Sequence, residues 1–448
     1  MPFKAFEPKP TPVEVLLSPV FGFVKQKSSA GIVLLLCTFA ALVWANSPWS
    51  EYYFKILNTK LNVGIDDLIS INKPILLWIN DGLMAVFFFV VGLEIKREVL
   101  VGELTSVTKA ALPVAAAIGG MLGPAAIYVL LNYGRPEVVG WGVPMATDIA
   151  FAVGVLAILG SRVPLGLRIF LTALAIVDDI GAVLVIAIFY TDQISFSALT
   201  IAHLLLVCSV VANLLGVRST TVYAVIGIAM WVAMLKSGVH ATIAGVLLAM
   251  TIPANVRLHT LQFSAMLRTL VNKFDEAETI ENKISQNKIQ QELLHKIEVA
   301  SGHVQAPLIH LEHMLIKWVA YFIMPVFALA NAGVTINGGI ANSLVEPACY
   351  GIAAGLFVGK LFGIVFFSWL AVRVGIAQLP AQVTWKQVWG AACLAGIGFT
   401  MSLFIAGLAF NDEETLNVAK VGILLGSLVS GVVGFTLLYT HKYPAKVE

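Results

Sequence analysis

Two adjacent aspartates, Asp178 and Asp179, sit near the middle of an apolar run that begins after Arg168 and ends near Tyr190. Roughly ten helical residues on either side place the pair about 15 Å from each end. That is half the thickness of a bilayer's hydrocarbon core. One ionised carboxylate at that depth costs at least about 2.5–3.5 kcal/mol, and two side by side repel each other. A cation or proton pathway supplies an offsetting gain; the alternative is a neutral, hydrogen-bonded structural pair. A third mid-run aspartate, Asp148, follows Thr147 in Trp141-Gly-Val-Pro-Met-Ala-Thr-Asp148, with Gly142 and Pro144 just before it. Proline removes a helix donor, so Thr147 and Asp148 fall where backbone can open beside a cavity. Lys360 stands more than ten residues into another run, too deep to snorkel, and needs a carboxylate or a helix C-terminus as its partner. Three aspartates and one lysine at similar depth form a cluster able to exchange protons for a cation. A purely structural salt bridge to Lys360 satisfies the same cost argument.

The elements that must position these groups are legible from composition. The 448-residue chain is 58% hydrophobic and 12% charged, about half the charge content of a soluble domain, and its mean hydropathy is +0.88. Repeated apolar runs of about 20 residues indicate an all-α polytopic membrane protein and exclude an outer-membrane barrel, whose short alternating strands lack such runs. A net charge of +2, with basic residues lying between the runs, points away from nucleic acid. The four cysteines (Cys37, Cys208, Cys349, Cys393) show no metal or redox spacing and fit core packing. Residues 1–28 carry prolines and lysines and no cleavable signal is visible, so they read as a cytoplasmic N-terminal segment.

About twelve spans are expected. Eight lie within 29–253, near 29–46, 74–93, 110–132, 138–159, 167–190, 195–216, 219–235 and 238–252. Four lie within 311–440, near 314–335, 347–372, 387–409 and 417–439. A small extramembrane hairpin is expected over 60–72. A polar cytoplasmic insert covers 254–310, in which Ile280, Ile284, Ile289, Leu293 and Ile297 suggest one amphipathic linker helix. Residues 441–448 form a short tail. Loops rich in Lys and Arg alternate with poor ones, apart from the first outer loop with Lys55, Lys60 and Lys73. The positive-inside rule then puts both termini in the cytoplasm.

Span eleven carries a second break, Gly396-Ile-Gly398-Phe-Thr400. Sliding it 248 residues over span four aligns Trp141 with Trp389, Gly142 with Gly390, Ile149 with Ile397 and Phe151 with Phe399. The breaks then correspond, as in two inverted repeats with discontinuous helices; glycines that merely let helices pack closely are the other reading. Glu94, Arg97, Glu98, Glu312 and His313 lie near the cytoplasmic surface, where such charges are usually solvated caps. His240 opens span eight, where a lone histidine is ordinarily a hydrogen-bonded packing residue.

The chain resembles the NhaA-type sodium/proton antiporter family. The motifs that carry the resemblance are Phe87-Phe-Phe-Val-Val-Gly-Leu-Glu-Ile-Lys-Arg-Glu98, Ala146-Thr-Asp-Ile-Ala-Phe-Ala-Val-Gly154, Ala173-Leu-Ala-Ile-Val-Asp-Asp-Ile-Gly181, Lys236-Ser-Gly-Val-His-Ala-Thr242, Phe327-Ala-Leu-Ala-Asn-Ala-Gly333 and Gly396-Ile-Gly-Phe-Thr-Met401. They occur in family order from about residue 29 to 440. The resemblance implies a secondary transporter, not an enzyme, that exchanges Na⁺ or Li⁺ for H⁺ electrogenically across a bacterial inner membrane and needs no cofactor. It further implies that Asp178 and Asp179 bind the ion and the protons, Asp179 being the more direct cation ligand. Asp148 and Thr147 match the first broken helix, Lys360 the lysine paired with the first aspartate, and Gly396, Gly398 and Thr400 the second break. Glu94, Arg97, Glu98, Glu312 and His313 match part of a pH-sensing cluster and His240 a pH-linked histidine. The 60–72 hairpin matches a homodimer contact. Two features depart from the family: Ile316, Ile309 and His310 replace expected sensor or basic residues, and the 254–310 insert is long. Rival readings are a sodium-coupled symporter, an intramembrane aspartyl protease and a passive channel. The protease is disfavoured because its carboxylates lie on separate helices, one in Gly-x-Gly-Asp, whereas Phe399 follows Gly396-Ile-Gly398 here.

Overall fold

The computed structural model describes residues 29–65, 69–191, 194–256, 260–277, 288–335 and 340–441. The elements in chain order are α1 (Ser29–Ala45), α2 (Ser50–Asn58), strands β1 (Lys60–Ile65) and β2 (Ile69–Pro74), α3 (Ile75–Val101) and α4 (Val107–Leu131). A 3₁₀ segment (Pro136–Met145) leads to α5 (Ile149–Leu159), followed by α6 (Leu165–Phe189), α7 (Phe196–Leu214), α8 (Thr220–Ser237) and α9 (Thr242–Thr251). Then come α10 (Thr260–Glu276), α11 (Lys288–Val304), α12 (Pro307–Asn331), the short α13 (Ile340–Val345) and α14 (Pro347–Arg373). The last three are α15 (Trp385–Ala395), α16 (Phe399–Ala409) and α17 (Glu413–Thr440).

Among the described residues, nine helical segments are long and apolar enough to cross a membrane. Two bent pairs pass the same test together, α1 with α2 at 110° and α15 with α16 at 45°, and α9 is a shorter apolar helix. The architecture is therefore all-α and multi-pass, with one small sheet. Two details differ from the sequence expectation. The span expected over 238–252 is only the ten-residue α9. The insert holds two helices, α10 and α11, where one was expected; Ile280 and Ile284 lie outside the described residues.

The chain divides into two compact units. The first comprises Met1–Leu83, Glu103–Tyr190 and Ala320–Glu448. Within it, α4 and α14 touch backbone to backbone: a Cβ at Gly363 would run into the Gly119 carbonyl, and one at Gly359 would lie 2.6 Å from the Pro124 Cα. Gly355, Gly359 and Gly363 recur every four residues, so they form one bare ridge along α14. We expect Gly363→Val to lose ~1–3 kcal/mol or more, because backbone on the far side cannot retreat as a side chain could. The thermal midpoint of the purified variant checks this. In the same unit β1 pairs antiparallel with β2, from Lys60 opposite Pro74 to Ile65 opposite Ile69, which realises the expected hairpin. Its turn, 66–68, lies outside the described residues. Asp412 caps α17 by accepting from the Thr415 amide at 2.8 Å and its hydroxyl at 2.9 Å, which holds its carboxyl below the usual carboxylate range.

The second unit comprises Met84–Gly102 and Thr191–Val319. Here the later part of α3 lies along α9, with Gly245 against the Ala85 and Phe89 backbone and Gly92 against Val246 and Ala249. Leu93, Tyr223, Ala249, Ile252, Leu308 and Leu311 form one buried cluster, and Met230, Met234, Ala244 and Leu248 anchor another. The α10 and α11 helices pack on each other through Leu270, Leu293 and Ala300, all nearly inaccessible. Their remaining faces are polar, as two solvated amphipathic helices require.

Candidate functional site: crossed helix breaks around a buried Lys–Asp pair

In the first unit the two predicted breaks meet. Pro144 ends the 3₁₀ segment, and the backbone is extended at Ala146 (φ −75°, ψ 146°) and Asp148 (φ −86°, ψ 96°) before α5 begins. On the other side, α15 stops at Gly396 and α16 starts after Gly398. Neither glycine has a positive φ. They are required by proximity: a Cβ on Gly396 would meet the Leu356 carbonyl, and one on Gly398 would sit 2.9 Å from the Ala146 carbonyl oxygen. The freed backbone groups satisfy each other across the crossing. The Asp148 amide donates to the Ile397 carbonyl at 2.6 Å, and the Thr147 hydroxyl donates to the Ala395 carbonyl at 2.7 Å. Phe151 and Phe399, aligned by the 248-residue shift, pack edge to face at 5.2 Å and 89°.

Asp148 closes two helix starts at once. One carboxylate oxygen accepts from the Phe151 amide at 3.2 Å and the other from the Thr400 amide at 3.2 Å and the Thr400 hydroxyl. A negative charge is favourable at the positive end of a helix dipole, and here one charge serves both α5 and α16. Ser427, which sequence reasoning did not single out, accepts from the Phe399 amide at 3.1 Å. No pattern around Ser427 announces this contact.

Lys360 supplies the compensating cation. Its Nζ lies 2.5 Å from Asp178 Oδ2 and 2.7 Å from the Thr147 hydroxyl, and its side chain is 0% exposed. It follows directly on a π-helical turn, Gly355–Gly359, one of the local widenings that recur at functional sites. Asp178 and Asp179 sit mid-way along α6, each 2% exposed, and the Asp179 charge also acts on Lys360. Asp178 Oδ1 has no hydrogen-bond partner. The arrangement offers carboxylate, hydroxyl and carbonyl oxygens of the kind a small hard cation takes. Among the described residues, no group of three or more His, Cys, Asp or Glu is set to hold a metal. A cation here would therefore depend on neutral oxygens besides the two aspartates.

The second unit gathers most of the remaining predicted residues. Arg97 Nε reaches both Glu312 oxygens, at 3.0 and 3.1 Å, while its Nη1 lies 2.7 Å from Glu98 and its Nη2 4.0 Å from Glu94. Glu98 and Glu312 are buried, so this is a structured cluster and not a set of solvated caps. His313 is exposed on α12. His240 precedes α9, whereas Lys96, one residue from Arg97, donates to the carbonyls of Met250 and Ile252 at the opposite end of α9, both at 2.6 Å. The ten-residue rise between those ends is about 15 Å, so His240 stands apart from the carboxylate cluster. Lys96 was missed because its acceptors are main-chain carbonyls, which leave no trace in residue type.

Comparison with known proteins agrees with this geometry. Residues 22–438 match the family model described as Na+/H+ antiporter 1. The chain belongs to that family. It is 50% identical to the Na(+)/H(+) antiporter NhaA of Oleidesulfovibrio alaskensis over 96% of this chain and 95% of that one. It is 48% identical to the Na(+)/H(+) antiporter NhaA of Koribacter versatilis over 97% and 94%, and 47% identical to Na(+)/H(+) antiporter NhaA 2 of Syntrophotalea carbinolica over 96% and 98%. Family membership covers both units, and the expectation drawn from the motifs stands at that level.

Proposed function

We propose that the chain exchanges Na⁺ or Li⁺ for H⁺ at the crossed breaks, electrogenically and under pH control. The observation that carries the reading is the buried Lys360–Asp178 pair, 2.5 Å long, with Asp179 on the adjacent residue. Ionised, Asp178 and Asp179 present oxygens that replace water around the cation. Protonated, they are neutral and release it. Asp148 and Lys360 balance the helix ends and the local charge in either state. Proton and cation thus compete for one site, and rocking of a bundle exposes it to each side in turn. The Arg97 cluster with Glu94, Glu98 and Glu312 is assigned to pH response, together with His313 and His240. We further assign both termini to the cytoplasm of a bacterial inner membrane and a homodimer contact to the β1–β2 hairpin. No cofactor enters the mechanism.

Inside-out vesicles from cells lacking other sodium exchangers test the reading. A respiration-driven pH gradient is set up, and NaCl, LiCl, KCl or choline chloride is added at several pH values. Collapse is expected with Na⁺ and Li⁺ alone. While protons compete with the cation, the half-saturating Na⁺ concentration should rise about tenfold for each unit of acidification. No collapse at any pH, with the protein present in the membrane, would overturn antiport and favour a sodium-coupled symporter.

A further inference from the structure

Phe362, Val365, Phe366 and Trp369 on α14, with Trp385 and Trp389 on α15, line a groove of about 500 Å³ in the first unit. Its walls hold one another: Phe362 meets Trp389 edge-on at 5.7 Å and 84°, and Phe366 tilts over Trp369 at 6.3 Å and 32°. The α14 rings stay about half exposed, so the groove is open on its outer side. Positions 362, 366, 369 and 373 form one stripe of a helix, which carries the aromatic row straight to Arg373, the last residue of α14. Lys386 lies beside Trp385 in the first turn of α15. Both basic residues are exposed. The groove therefore has a long apolar body and a cationic mouth where two membrane helices end. No Asp or Glu occurs anywhere between Glu346 and Asp412, so neither helix nor the loop joining them supplies a carboxylate for that mouth.

An aromatic belt alone places Trp at membrane interfaces without selecting a lipid. A groove with two uncompensated cations at one end does select. We propose that it binds one anionic glycerophospholipid, with an acyl chain along Phe362, Phe366 and Trp389 and the phosphate between Arg373 and Lys386. A zwitterionic lipid brings its own ammonium to the mouth and loses the net attraction. The proposal makes no use of the transport reading and stands or falls separately from it.

Native mass spectrometry of the full-length protein in detergent tests it, with added phosphatidylglycerol or phosphatidylcholine of the same acyl composition. The wild type should hold one phosphatidylglycerol in preference to phosphatidylcholine. Arg373→Gln with Lys386→Gln should weaken phosphatidylglycerol binding roughly 30-fold, about what two surface cations contribute, and leave phosphatidylcholine unchanged. Phe362→Ala with Phe366→Ala should weaken both lipids. All four side chains are exposed, and an unchanged thermal midpoint establishes that each variant is folded; Arg373→Lys, which retains the charge, should keep the preference. Equal binding of the two lipids by the wild type, or a preference that survives loss of both charges, overturns the proposal. So does a change in the dimer-to-monomer ratio of the Phe variant without any change in lipid, which would give the groove to a second copy of the chain.

Discussion

Asp179→Asn should cut Na⁺-dependent proton exchange by roughly 100-fold or more, since the charge on a site's ligands sets cation affinity. The amide keeps the shape of the carboxylate but carries neither the charge that attracts the cation nor the titratable proton that displaces it. Asp179 is 2% exposed, so water cannot restore the missing charge. The Lys360–Asp178 pair is left in place, and the variant should insert and accumulate like the wild type. Vesicle antiport, scored against the amount of protein in the membrane, is the measurement. Normal exchange in this variant would remove Asp179 from the ion site.

Lys360→Ala should destabilise the protein by about 3–5 kcal/mol, the usual result of removing one partner from a buried ion pair. The loss is expected to be large because Lys360 is 0% exposed and also donates to Thr147, whose hydroxyl oxygen would lose its cationic neighbour. Most of the cost comes from the Asp178 charge left behind. Adding Asp178→Asn to Lys360→Ala should therefore recover much of the stability, although not transport, and a double-mutant cycle measures the coupling. Thermal midpoints of the wild type, both single variants and the double variant decide it. Equal, additive losses would show that Lys360 stabilises the fold through packing alone.

Much of this was readable beforehand because a membrane penalises polar groups so heavily. Asp148, Asp178, Asp179 and Lys360 each stood out at mid-span, and all four lie in the first unit at or beside the crossing. The 248-residue shift also paired Phe151 with Phe399, rings that pack against each other. Interfacial residues were harder to read. In water-accessible loops charge is cheap, so nothing in the types of Glu98 or Glu312 told a buried cluster around Arg97 from ordinary caps. The second insert helix, α10, went unseen because the apolar repeat followed through Ile289, Leu293 and Ile297 belongs to α11. Contacts to main chain, such as those of Lys96 and Ser427, are invisible to residue type altogether.

The π turn at Gly355–Gly359 gives chain length a meaning of its own. A π turn holds one residue more than the α-helical ladder needs, so a single deletion inside it would regularise α14 and leave an unbroken helix. Everything beyond would then rotate by about 100°, turning Lys360 away from Asp178 and the ridge of Gly363 away from Gly119. Among relatives, a one-residue gap at this point would look like neutral drift in an alignment. It would instead mark a lineage that has lost its buried counter-charge or found another.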